Sequence, residues 1–265
     1  MLRIACLRCF ILLIVLSSAS VFADKLDDIK KKGEITIGIM DKVPLAFKNK
    51  DGKMSGYEID FAVYIAQRLG VKPTIIPLRS DDRIEALKND KVDILFGLAK
   101  TPINEREVTF GYGYFVTMQK IVAAKDKIKT FADLQKLNIG VVHGSASEKI
   151  IKKEAPKAEI SEFDNLDAAF NALLAQKIDA VTADEPLLLA ELNRIKNPQY
   201  DIAPMTIEIK IYAVATVKKQ TKLLQQAINK ILVDMERNGM AKDIFTHWFG
   251  PKTTMNMPRT FKIKS

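Results

Sequence analysis

Between Asp51 and Gly70 the hydrophobic pattern changes period, and this change restricts the fold more than any other stretch of the chain. Asp51-Gly52 is a tight-turn dipeptide that follows two extended segments, Ile35–Met40 and Pro44–Phe47. After Gly56 the apolar residues Ile59, Ala62, Val63, Ile65, Ala66 and Leu69 fall on one helical face, and Gly70 ends the run. Strand-like and helix-like segments then alternate. Lys72–Leu78 reads as extended, Asp82–Lys88 as helical and Val92–Leu98 as extended again. The rhythm restarts at Asn138–Val142, with helical stretches at Ser145–Lys153 and Leu166–Ala175 and further strands at Glu159–Phe163 and Ala180–Thr182. Each half is a βαβαβ unit, the pattern of a mostly parallel sheet covered by helices. Two such units in 265 residues predict an α/β chain of two lobes, each of about 100 residues.

The start of the chain, up to Ala23, stands apart. Arg3 and Arg8 precede an apolar run from Cys9 to Leu16, and Val21 and Ala23 supply small residues at the two cleavage-recognition positions. This predicts a secretory signal peptide removed before Asp24, since the run is shorter than the roughly 20 residues a membrane span needs. Cys6 and Cys9 leave with it, so the mature chain is expected to use neither disulfides nor thiolate chemistry.

The net charge is +9, of which Arg3 and Arg8 contribute two. The lysines are scattered and no aromatics alternate with them, which argues against nucleic acid as a partner. His143 and His247 lack a second histidine at metal-ligand spacing, and no P-loop or dinucleotide fingerprint is present. No cofactor and no metal are expected.

Two local patterns point to a ligand. Asp184 lies just past the buried-type strand Ala180–Thr182, at the strand end where open α/β sheets bind ligands, although Asp184 could also be only a helix cap. In Val142–Glu148 a strand leads through Gly144 into the hydroxyl-bearing start of a helix. Such an N-terminus suits a carboxylate or phosphate, as would any capped helix.

The strand, turn and helix around Gly56-Tyr57-Glu58, the Asp184-Glu185-Pro186 motif and the ending Trp248-Phe-Gly250 together resemble the polar amino-acid-binding branch of the periplasmic solute-binding proteins of ABC importers, over residues 30 to 250. The resemblance implies a type II two-lobed fold with two crossover strands. The first lobe would take in residues 24–117 and 212–265, and the second lobe would take in residues 118–211. It implies a periplasmic monomer that binds an amino acid or similar small polar solute in the cleft and delivers it to a membrane permease, without catalysis. In that family the counterpart of Asp184 holds the ligand α-amino group, the counterpart of the Ser145-Ala146 loop holds the carboxylate, and an aromatic in the place of Tyr57 stacks on the ligand. The segment Gly97–Phe110 departs from the pattern. Ala99 stands where a hydroxyl residue is usual, and Thr101-Pro102 is kept. Counted without gaps, the carboxylate-clamping arginine is replaced by Asn104. Counted by the Glu105-Arg106 pair, Arg106 is the clamp, and this second count is the expectation adopted. Where another aromatic is common the chain has Lys42 or Leu45. The rival implied by the same scaffold is a cyclohexadienyl or arogenate dehydratase-like enzyme using Asp184 or Glu185 as an acid or base.

Overall fold

The structure, a computed structural model, describes residues 24–264, so the expected signal peptide lies outside the described residues. Asp24 opens α1 (Lys25–Lys32), which leads to β1 (Glu34–Ile39). The Asp51-Gly52 turn joins the short hairpin strands β2 (Phe47–Lys48) and β3 (Met54–Ser55). Helix α2 (Tyr57–Leu69) starts directly behind them. Its N-cap, Gly56, has φ 135°, and a Cβ there would stand 2.3 Å from the Leu45 carbonyl oxygen, so no other residue fits this entry. Strand β4 (Lys72–Pro77), α3 (Arg83–Lys88), β5 (Ile94–Ala99) and α4 (Pro102–Glu107) complete the first unit.

The 16-residue strand β6 (Thr109–Ala124) then leaves that unit. The second unit holds α5 (Phe131–Leu134), β7 (Asn138–Val142), α6 (Ala146–Glu154), β8 (Glu159–Phe163), α7 (Leu166–Leu174), β9 (Ala180–Asp184), α8 (Glu185–Ile195) and β10 (Tyr200–Ile202). Strand β11 (Glu208–Thr216) returns to the first unit, followed by α9 (Lys222–Arg237) and α10 (Met240–Phe249).

The strands run in the order β4-β1-β5-β11-β6-β9-β7-β8, with β10 added beside β6. Pairing is parallel in β4-β1-β5 and in β9-β7-β8. It is antiparallel where β11 and β6 link the two sets. The fold is therefore two parallel α/β units bridged by two crossing strands. The β6–β11 register shifts between Tyr212 and Ala215, opposite Phe115 to Phe110, which marks a local irregularity in the bridge.

The first unit is packed around an aromatic cluster. Tyr57, Phe61, Tyr114, Phe115, Phe245 and Phe249 are all buried, with ring centroids about 5–6 Å apart. The C-terminal tail lies along this unit. Met257 and Ile263 are buried, and Arg259 pairs with Glu236 of α9. The second unit has its own apolar interior around Ile121, Ile139, Val141 and Ala180.

Candidate functional site

The C-terminal ends of β1 and β5 from one unit, and of β7 and β9 from the other, converge on one cavity of about 480 Å³. That edge is where parallel strands leave free loop positions, and the volume suits a small molecule. Lys42 after β1, Ala99 on β5, and Thr101 and Asn104 at the start of α4 line it from the first unit. Ser145, Ala146 and Asp184 line it from the second, and Lys210 and Tyr212 from β11. Of the residues singled out in the sequence, Ala99, Thr101, Ser145, Ala146 and Asp184 are thus brought together.

Tyr57 and Arg106, also expected at the site, lie away from this cavity. Tyr57 starts α2 with its ring turned into the aromatic core, where its hydroxyl donates to the Tyr114 carbonyl at 2.8 Å. It is 0% exposed and does not reach the cavity. Arg106 is exposed on α4 and off the cavity wall. Two residues along a helix turn a side chain by about 200°, so Asn104 and Arg106 cannot face the same way. Asn104 is the one at the cavity. Its amide donates to the Ala99 carbonyl at 2.8 Å, and its backbone N–H donates to the Thr101 hydroxyl at 3.2 Å, which caps the helix. Leu45 is a core residue, so Lys42 is the one that fills the alternative wall position.

Asp184 occupies the N-cap position of α8 yet makes no capping bond. Its Oδ2 accepts from the Tyr212 hydroxyl, and Lys210 Nζ stands 2.7 Å from its Oδ1. Oδ1 is sealed from solvent, and its contact with Lys210 is an ion pair without the angles of an aligned hydrogen bond. Lys210 also donates to the Ser147 hydroxyl at 2.8 Å. This pair follows from an inverted strand. Lys210 and Tyr212 of β11 point inward, while Ile209 and Ile211 are 65% and 45% exposed. Burial, and then the Asp184 charge, push the Tyr212 hydroxyl well above its usual range.

At the start of α6 the Ser145 hydroxyl accepts from the Glu148 N–H at 3.1 Å, while a Glu148 carboxylate oxygen accepts from the Gly144 N–H at 2.6 Å. The Ala146 and Ser147 N–H groups have no intrahelical acceptor and sit at the cavity wall. Ser80 donates to the Gly144 carbonyl at 3.4 Å, so the two units touch beside this loop. His143, the neighbour of the loop, is exposed and lies 2.7 Å from a Glu162 carboxylate oxygen, away from the cavity. That carboxylate raises the His143 pKa.

Two charged groups on the cavity wall, Arg83 and Lys210, were not legible as site residues. Arg83 of α3 is 6% exposed and lines the cavity. Its Nη1 donates to the Gly97 carbonyl at 2.6 Å. Gly97 in turn donates its N–H to the Tyr114 hydroxyl at 2.8 Å, and that hydroxyl donates to Glu58 at 2.6 Å. Burial pushes the Glu58 carboxyl up to about 7, against the Tyr114 hydrogen bond and the Arg83 charge. Lys42 is pushed down to about 8 by desolvation, with the Asp184 charge opposing and those of Arg83 and Lys210 adding. Lys210 had one sequence signal, a lysine set between isoleucines in an extended run. Arg83 had none, because a charged residue in a short helix next to Asp81-Asp82 reads as surface.

The chain belongs to the bacterial extracellular solute-binding proteins, family 3, whose pattern it matches over residues 35–251. It is 33% identical over 233 residues to an ABC transporter glutamine-binding protein of Bacillus subtilis, covering 85% of this chain and 84% of that one. An ancestral arginine-binding protein solved with arginine superposes with a TM-score of 0.77 at 34% identity, over 82% of this chain and 99% of that one. An ancestral amino acid-binding protein, a precursor of cyclohexadienyl dehydratase, gives a TM-score of 0.77 at 31% identity, over 84% and 98%. The two solved neighbours share the α/β architecture described above.

Proposed function

We propose that the protein is the extracytoplasmic solute-binding component of an ABC importer, holding a small polar solute between its lobes and presenting it to a membrane permease. The observation that carries this reading is the cavity built from the strand ends of both α/β units. A solute there touches two bodies linked by the crossing strands β6 and β11, so its binding energy favours the closed arrangement over the open one. The glutamine- and arginine-binding relatives support a solute that is an amino acid or a molecule of similar size. In this reading residues 24–117 and 212–265 form one lobe and 118–211 the other. Residues 1–23 direct export to the periplasm, and the exported chain acts as a monomer. No helix among the described residues is long and apolar enough to cross a membrane.

The dehydratase-like alternative asks for a cleft carboxylate free to move a proton. Asp184 is held by Lys210 and Tyr212, and Glu185 is off the cavity wall. Binding without turnover therefore fits the site better. A thermal-shift screen of the exported chain against the twenty amino acids and small organic acids tests the reading. A true solute raises the melting temperature with concentration, adding about 2.7 kcal/mol of stability at a hundred times its Kd. A protein indifferent to every small solute at millimolar concentration refutes it.

A further inference from the structure

Resting on that reading and narrowing it, we infer that the cleft selects a small organic anion, a carboxylate with an apolar body and no ammonium group. The charges on the wall carry this. Arg83 and Lys210 line the cavity from buried positions and Lys42 from a half-buried one, and Lys149 and Lys153 of α6 reach it from exposed positions. Three carboxylates oppose them, and none is open to an ammonium in the interior. Asp184 has one oxygen sealed against Lys210 at 2.7 Å and the other bonded to the Tyr212 hydroxyl. Asp81 and Glu208 are exposed.

The cations are in the opposite condition. Neither Lys42 nor Arg83 has a carboxylate oxygen within 4.0 Å among the described residues. Arg83 gives Nη1 to the Gly97 carbonyl and Nε to the Ser80 carbonyl at 3.4 Å, while Nη2 meets no acceptor among the described residues. A guanidinium this buried, bonded only to neutral carbonyls and met by the Glu58 and Asp184 charges only beyond 4.0 Å, is incompletely compensated, which is costly until an anion arrives. Lys42 likewise pairs with no side chain among the described residues; burial is the main effect on it, the Asp184 charge favours its ammonium, and the smaller effects of Arg83 and Lys210 oppose it. On the opposite wall the free Ala146 and Ser147 N–H groups at the start of α6 add a partial positive charge. An ammonium in this space meets three cations and no free acid. A carboxylate meets two unpaired cations and a helix N-terminus. Ile84, Leu98, Ile150 and Leu187 line the remainder and suit an apolar body.

The test is calorimetry on the exported chain with matched pairs that differ by the amine: 3-phenylpropionate against phenylalanine, 4-methylpentanoate against leucine, glutarate against glutamate, with inorganic phosphate as a further probe. The expected result is that in each pair that binds, the acid without the amine binds at least about tenfold tighter. That is the discrimination expected when a polar group is left unpaired in a closed site. Lys42→Met should weaken the tighter acid about 10- to 100-fold, as for loss of one charge-assisted hydrogen bond. Lys210→Met, with its fold checked by circular dichroism, frees Asp184 and should move the preference toward the amino acid of the pair. An amino acid that binds wild type tighter than its deaminated partner overturns the inference and leaves the solute-binding reading standing. Phosphate binding with no organic acid bound overturns the organic assignment. A chain that binds no probe and none of the twenty amino acids overturns both readings.

Discussion

Glu58→Gln should remove a loss of about 3 kcal/mol in stability between pH 4.5 and pH 8. The carboxyl is 1% exposed, and burial raises it from 4.5 to about 7. The folded chain therefore keeps a proton that the unfolded chain releases. As pH rises through this window the unfolded state binds fewer protons than the folded one, and stability falls until the folded carboxyl itself ionises near pH 7. At 1.36 kcal/mol per unit the loss is about 3 kcal/mol. Glutamine keeps an oxygen to accept the Tyr114 hydroxyl and is neutral at every pH. Urea denaturation of both proteins, without ligand, at pH 4.5 and at pH 8 gives the comparison. Other carboxylates titrate alike in the two proteins, so the difference of differences isolates Glu58. Profiles that run parallel to within about 1 kcal/mol would refute the argument. The group matters to the cleft because it anchors Tyr114, Tyr114 holds Gly97, and the Gly97 carbonyl orients Arg83.

Arg106→Ala should leave affinity for a bound solute within about twofold, because the residue is exposed and off the cavity, where surface substitutions cost little. Asn104→Ala removes a side chain at the wall and the bond to the Ala99 carbonyl, so it should weaken binding several-fold in the same calorimetric assay. The reverse order would restore Arg106 as the clamp. Asp24→Ala should cost about 2 kcal/mol in urea denaturation, the upper range for one cap. Asp24 serves two helices at once, accepting from Leu26 in α1 and from Leu223 and Leu224 at the start of α9. A loss below about 0.5 kcal/mol, the lower end for a single cap, would show that water replaces it.

The fold was readable because its evidence is local. The change of period at Gly56, the buried-type runs at Ala180–Thr182 and Asn138–Val142, and the restart of the βαβ rhythm each depend on residues close in the chain. Asp184, Ser145 and Ala146 were readable for the same reason, since a strand end followed by a helix start forecasts where their backbone must lie. Tyr57 misled because a helix of this composition does not announce which of its first-turn residues faces the interior. The aromatic cluster that claims Tyr57 comes from Tyr114, Phe245 and Phe249, far along the chain.

Lys210 shows where such reasoning ends. From Ile207 to Ile211 its strand alternates isoleucine with a charged residue, and by the usual rule the isoleucines belong inside and the lysine outside. The opposite holds, because β11 bridges two units and its inner face abuts Asp184 and Ser147 rather than an apolar sheet. The alternation was legible; which face was interior was not, since that depends on an acid at the end of another strand and on the lobe it belongs to. The consequence for function is large. Asp184 standing alone would attract an amine, whereas Asp184 closed by Lys210 and Tyr212 presents no free charge. Lys42, in the turn after β1, and Arg83, at the start of α3, are the cavity cations with no carboxylate oxygen within 4.0 Å among the described residues. The scaffold is that of its relatives, while the charge pattern within the cleft is set by side chains that only the folded chain brings together.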